Sequence, residues 1–299
     1  MEQLKKKIYK YIIYNMKYEL SQNIVEPLTL KKGKTYIVTA PVKVFSKLTI
    51  EDNVTIYIRN DSSSELCGTS GNGLTFASSS QLHANEVDFH SCNYSNEKVN
   101  EAINGGLVFN GTIGPLLENP NSFAYSTNPS NFVATKIRCH YLGGSVKVDM
   151  STSETYNSIT INNCNSDEWN INSVSIKNGG GSSLAINQSQ LDFEYVAIEY
   201  PSGDYGLEVT NSTITVTKGL KIKNGEEGGL IEMNSDQTDN ANPLCYIKLP
   251  NNTKVYLNGE WVDGVVVVSK SLPHPSDGPY YFKNCTACGQ SYIFPAVIA

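Results

Sequence analysis

Arginine is nearly missing from this chain. Of 23 basic residues only Arg59 and Arg138 are arginine, and 29 acidic residues leave a formal net charge of -6. Nucleic-acid binders cluster Arg and Lys on one surface, so no nucleic acid is expected as a partner. Long apolar runs are also lacking. No stretch reaches the eighteen or so residues that a membrane span needs, and no transmembrane segment is expected. The 23 glycines show no period of three and no long heptad run occurs, which excludes collagen-like and coiled-coil folds. The seven cysteines are odd in number and too scattered for a disulfide framework. A dinucleotide fingerprint is absent as well: Gly179-Gly180-Gly181 lies between two short β segments rather than between strand and helix. No cofactor is expected.

Asparagine, serine and threonine are abundant instead, at 32, 31 and 20 residues, or 83 of 299. Beside a regular apolar pattern, such residues belong at turns and on outward strand faces. From about residue 35 short segments alternate polar and apolar, as in VKV (42–44), LTI (48–50), VTIYI (54–58), SITIN (158–162), SLAIN (183–187) and GLEVTN (206–211). Period two means strands. Asn163, Asn187 and Asn211 each follow such a strand at intervals of 24, and two copies of Ile-Lys-Asn-Gly, at 176–179 and 222–225, lie 46 apart. A unit of about 22–25 residues with three short strands is a solenoid coil, which buries its apolar face only against the next coil. Leucine-rich repeats share that length but would show a leucine consensus, which is absent.

The fold class expected is therefore all-β, a parallel β-helix with three short strands per coil, whose right hand is what the family resemblance given below implies. Its interior would hold Ile159, Ile161, Val174, Ile176, Leu184, Ile186, Leu191, Phe193, Leu207, Val209, Ile214, Val216, Leu220 and Ile222. Asparagines at equivalent corners would stack as a ladder. Residues 4–20 (LKKKIYKYIIYNMKYEL) have helical apolar spacing with interspersed lysines. We expect residues 1–25 to form an amphipathic helix capping the first coil, with membrane-surface attachment as the alternative. Lys10, Asn15 and Lys17 interrupt it as a secretory signal. Residues 26–270 would be the β-helix, with polar loops at 93–105, 115–135 and 226–243, and 271–299 a C-terminal cap. Eight Asn-x-Ser/Thr sequons arise from composition and do not establish secretion, a location left open.

The opening unit YIVTAPVKVFSKLTIEDNVTIYIRN (36–60) resembles the first coils of right-handed parallel β-helix proteins of the pectate-lyase-like superfamily. Leu48-Thr49-Ile50 followed by Glu51, Asp52, Asn53 and Val54 carries the likeness, with Asn53 where glycine often stands. The composition is also similar to that of uncharacterised β-helix proteins of large DNA viruses of amoebae. That resemblance implies a virion or host-cell-cytoplasm setting and a structural or binding role; homo-oligomers are common among spike-like members. Lyases of this superfamily use a basic residue near calcium-binding acids, and neither Arg59 nor Arg138 has a recognisable acidic cluster in sequence. The paired-aspartate and Gly-His-Gly motifs of related hydrolases are absent.

Three sets of residues carry candidate chemistry. In LDFEYVAIEY (191–200), Asp192, Glu194 and Glu199 are candidate catalytic carboxylates, since two carboxylates about 5–10 Å apart can divide acid and base or nucleophile roles. A solvated strand face is the plainer alternative. Trp169, Tyr195, Tyr200 and Tyr205 are candidate binding aromatics, able to stack on sugars or pack against a partner. Cys285-Thr-Ala-Cys288, with His274 as a third ligand and Cys245 as a fourth, is a candidate metal half-site, against a disulfide or buried thiols. The leading expectation is a non-catalytic structural or binding protein that presents loops and flat faces to glycans or protein partners. The alternative is a carbohydrate-active enzyme using outward carboxylates on a lateral sheet.

Overall fold

The computed structural model describes residues 17–59, 72–93, 95–98, 105–112, 129–147, 153–201, 205–223, 229–234, 246–249, 253–257, 260–262, 266–269 and 292–295. Among these, every regular element is a strand. The first coil holds β1 (Lys17–Leu20) and β2 (Leu28–Leu30). β3 (Thr35–Val38), β4 (Pro41–Val44) and β5 (Lys47–Ile50) follow, then β6 (Thr55–Arg59), β7 (Gly73–Phe76) and β8 (Gln81–Ala84). The next coil is β9 (Glu86–Cys92), β10 (Leu107–Asn110) and the first half of β11 (Asn131–His140). After a hairpin of β12 (Gly144–Lys147) and β13 (Ser153–Tyr156), the chain passes through β14 (Ile159–Asn162) into β15 (Trp169–Lys177). β16 (Ser182–Asn187), β17 (Gln190–Glu199), β18 (Tyr205–Thr210), β19 (Thr213–Lys223), β20 (Gly229–Asn234) and β21 (Tyr246–Lys248) repeat the cycle. β22 (Lys254–Leu257), β23 (Glu260–Val262), β24 (Val266–Ser269) and β25 (Tyr292–Pro295) end it.

Strands pair in parallel with their counterparts one coil on. A first face stacks β1, β3, β6, β9 and the second halves of β11, β15, β17 and β19, then β22. A second stacks β4, β7, β10, β14, β16, β18 and β20. The third begins with β2, β5, β8 and the first half of β11 and ends with the first halves of β17 and β19 and β21. The protein is thus an all-β parallel solenoid of β-helix type. β11, β15, β17 and β19 each turn from the third face onto the first without a break, and in β17 a register shift between Phe193 and Tyr195 marks that turn.

The repeat length follows from the register. Ile159, Leu184, Leu207 and Ile231 align across four coils, at intervals of 25, 23 and 24 residues. All fourteen interior residues expected from the alternation are at most 2% exposed. Full burial of each such side chain contributes about 1.5–3 kcal/mol, and alignment multiplies the gain along each row. Aromatic rings run through the interior in the same way. Phe76 stacks on Phe109 at 4.8 Å, and Phe132, Trp169 and Phe193 continue the spine edge to face.

Corners are set by left-handed backbone positions, which asparagine tolerates better than most residues. Asn163, Gln188 and Asn211 occupy one such corner with φ of 56, 48 and 48°. The expected set of Asn163, Asn187 and Asn211 is therefore offset by one residue at its middle member. The hydrogen-bonded ladder lies one position earlier: Asn187 Nδ2 donates to Asn162 Oδ1 at 3.0 Å, Asn162 Nδ2 to Asn110 Oδ1 at 3.1 Å, and Asn110 Nδ2 to the Phe76 carbonyl at 3.0 Å. Glycine is required where coils approach most closely. A Cβ on Gly106 would lie 2.1 Å from the Asn157 carbonyl oxygen.

Three expectations need correction. The amphipathic helix does not extend to residue 20, because Lys17–Leu20 forms β1, paired in parallel with β3; its residues 1–16 lie outside the described residues. The loop expected at 226–243 contains β20, whose Ile231 and Met233 continue the rows of Leu207 and Val209. The loop expected at 115–135 is likewise too long, since β11 begins at Asn131 and pairs with β8. Near the C-terminus the parallel order stops: β22 and β23, β21 and β24, and β24 and β25 pair antiparallel.

Candidate functional site

The outward positions of the first face are set by register. On β17 and β19 these include Tyr195, Glu199, Lys221 and Lys223, with Tyr200 at the corner beyond. Tyr195 is 48% exposed and lies over Gly219, where a Cβ would sit 3.0 Å from its Cδ1. In register Tyr195 faces Ser173 on one side and Gly219 on the other, so the side chain that lies over the ring is Lys218, beside Gly219. Lysines from the next coil meet the acids and rings. Lys218 Nζ is 2.6 Å from Glu194 Oε1 and lies over the Tyr195 ring at 5.9 Å. Lys221 pairs with Glu199 and approaches the Tyr256 ring. Lys223 donates to Tyr200 Oη at 2.6 Å and lies 4.6 Å from that ring's centre. The Glu194 bond raises the Lys218 pKa above its ordinary value, and the Tyr200 hydroxyl does the same for Lys223.

Of the three candidate carboxylates, Glu199 stands apart from the other two, whereas Asp192 and Glu194 are two residues apart on β17, about 7 Å along the strand. Asp192 sits on the third face opposite Thr215. Glu194 and Glu199 lie at opposite ends of the first-face half of β17, which at about 3.3 Å per residue separates them by roughly 16 Å of strand. Each of these two is held by a lysine. Tyr195 and Tyr200 share the first face and its corner, whereas Tyr205 begins β18 on the second face. Trp169 requires a correction: it is 2% exposed within the interior ring spine, because the alternation of β15 points it inward with Ile171, and it cannot stack on an external ligand. Cys285, Cys288, His274 and Cys245 lie outside the described residues. Among the described residues no group of three His, Cys, Asp or Glu could hold a metal ion. Cys92, Cys139 and Cys164 are free and buried, and burial pushes each thiol above its usual pKa, Cys92 to about 11.

Arg138 does have acidic partners, contrary to the reading from sequence. Its Nε is 2.6 Å from Asp88 Oδ1 and its Nη2 2.6 Å from Glu86 Oε2. These partners stand about fifty residues upstream, and the register Asp88↔Arg138 delivers them. His140 Nε2 lies 3.9 Å from the same Asp88 oxygen, and the His140 and Arg138 contacts hold the Asp88 carboxyl down at about 2. The guanidinium thus spends its Nε and Nη2 donors on two carboxylates of the preceding coil. His90 stacks on His140 at 5.3 Å, with Tyr57 and Tyr141 against the His90 ring. Only the coil register brings these histidines, fifty residues apart in sequence, into one group.

A second missed residue is Glu168, a carboxylate only 1% exposed. Its Oε1 accepts from the Thr112 amide at 2.9 Å, the Thr112 hydroxyl, and the Ser130 amide at 3.2 Å, while Oε2 accepts from the Asn165 amide at 3.2 Å. Thr112 and Ser130 flank residues 113–128, so this carboxylate ties both ends of that segment to the next coil. It is fully engaged in structure.

No family model matches the chain, and neither a curated protein nor a solved structure matches it. The parallel solenoid and the geometry of its faces therefore carry the functional argument alone.

Proposed function

We propose that the protein is a non-catalytic binding solenoid whose first face engages a glycan or a protein partner. The observation that carries this reading is the Tyr195–Tyr200 platform: exposed rings beside Ser173 and Gly219, with the nearby carboxylates already committed to lysines. Tyrosine rings offer apolar area to a sugar face, and lysine–carboxylate pairs offer donors and acceptors to its hydroxyls. A carbohydrate-active enzyme would need two free, converging carboxylates; Glu199 is remote from Glu194 and both are tied to lysines, which weighs against it. The virion or host-cytoplasm setting that the pectate-lyase-like and viral resemblance implies belongs to the same proposal, as does association of copies. A glycan array probed with purified protein tests it. Wild type is expected to give sugar-dependent signal that Tyr195→Ala loses and that Glu194→Gln and Glu199→Gln retain. Turnover of any array sugar that disappears in Asp192→Asn, Glu194→Gln or Glu199→Gln would overturn it in favour of the enzyme. Immunogold labelling of purified virions examines the setting.

A further inference from the structure

Charge on the first face runs opposite to charge on the chain. Between β9 and β22 its described strands carry four carboxylates, all held: Glu86 and Asp88 share Arg138, Glu194 takes Lys218 and Glu199 takes Lys221. Lys136, Lys177, Lys223 and Lys254 remain, none of them in an ion pair among the described residues, with Lys223 donating to Tyr200. Seven cations against four carboxylates leave +3, with histidines neutral, on a chain of net charge -6.

The register sets these lysines around Tyr195. Lys136, Ser173, Tyr195, Gly219 and Lys254 form one outward row, so a lysine stands two strands away on either side of the ring, roughly 10 Å at about 4.8 Å per strand. Lys177 and Lys223 belong to the row four residues further on, with Glu199 between them, which puts each roughly 14 Å from Tyr195. Small outward residues, Ser173, Ser175, Ala197 and Gly219, keep the floor between ring and lysines low. A half-exposed aromatic at the centre, a low surround and a charged rim are the anatomy of a protein interface. A disc of about 14 Å radius covers roughly 600 Å², close to the ~800 Å² that one partner gives to a standard interface.

The spacing also selects the partner. Lysines on opposite sides of the ring are too far apart to converge on one small anion. A polyanion of uniform charge would meet Glu194 and Glu199, whose side chains are still 39% and 31% exposed inside the patch, and like charges brought together cost affinity. A folded protein can set carboxylates over the lysines and place donors opposite the two glutamates. We propose that the first face docks a protein with an acidic contact surface, seated on Tyr195 and paired at its rim with Lys136, Lys177, Lys223 and Lys254. This rests on the binding reading above and names the partner's class.

Selection of a random phage-displayed peptide library on the immobilised full chain tests it. Enriched sequences are expected to be acidic around an apolar residue or proline. The strongest, synthesised and followed by fluorescence anisotropy, should bind about tenfold more weakly to Lys136→Ala/Lys177→Ala/Lys254→Ala, three exposed pairs being lost. Tyr195→Ala should weaken it as well, and the corresponding triple change to arginine should retain it. Should the alanine variant fail to fold, the arginine variant and a salt titration of wild type decide: affinity has to fall as salt rises. Neutral or basic sequences, or acidic ones indifferent to the three lysines, would overturn the acidic class, and if Tyr195→Ala still abolished binding the first-face reading would stand. Heparin, duplex DNA or phosphatidylserine vesicles held by the same lysines more tightly than any peptide would hand the face to a polyanion. Self-association that the alanine variant abolishes would assign it to a second copy. If neither peptide nor glycan binds, both readings fall.

Discussion

Glu168 places a carboxylate inside the solenoid wall, where leaving its donors unmatched costs more than the bond itself contributes. Glu168→Ala strands the Thr112 and Ser130 amides, and equilibrium urea unfolding should show a loss of about 2 kcal/mol. Glu168→Gln retains an acceptor and should lose about half as much. Nothing in the segment SDEWN announces this role, because the donors stand 38 and 56 residues upstream. Trp169 next to it failed as a surface residue for a related reason: a polar segment precedes it, but the alternation that governs its direction begins at Trp169 itself. Gln188 is a residue-scale test of the corner. It holds φ of 48° without the side-chain compensation that asparagine offers, so Gln188→Asn should raise the unfolding midpoint, by up to about 1 kcal/mol of stability.

At the scale of elements, strands were legible because alternation depends only on neighbours two residues apart. VKV, LTI, SITIN, SLAIN and GLEVTN all lie on strands whose apolar members are buried. β20 was missed because its alternation is short, Ile231 and Met233 alone, and stands within a polar, Gly-rich stretch. What sequence could not show is which strand stands beside which, and the Arg138 network and the histidine pair exist only through that pairing. The asparagine ladder was anticipated in kind but displaced by one residue, since Asn162 and Asn163 are adjacent and only φ distinguishes the corner from the rung. Asn162→Ala removes two side-chain bonds, to Asn110 and from Asn187. Its expected cost is about 1–2 kcal/mol in chemical denaturation, and Asn162→Thr, the residue type at Thr210 in the same row, should cost less.

For the whole molecule, acid is the condition to examine. Burial holds His83 and His90 below the ordinary histidine pKa of 6.5. A group depressed on folding stabilises fully above its unfolded value, so stability should decline as pH falls from about 6.5 through the lower folded values. Asp88 adds a second, more acidic loss, present above its ordinary 3.8 and gone as pH passes about 2. Thermal melts between pH 8 and 5 should show a falling midpoint, and His90→Asn should flatten that slope. The reversal of strand direction at β22–β23 and at β21–β24–β25 has another consequence. Among the described residues, antiparallel strands occupy the edges of β21 and β22 on the third and first faces at this end, so another coil cannot simply be added there, and a change of length by one whole period is expected in the interior. Because Ser173 stands in register with Tyr195, excising 173–194 and joining Asn172 to Tyr195 would put like against like. The shortened protein should still fold, retaining the circular-dichroism signature of strands, whereas a cut one residue longer would turn inward side chains outward and leave an aggregate.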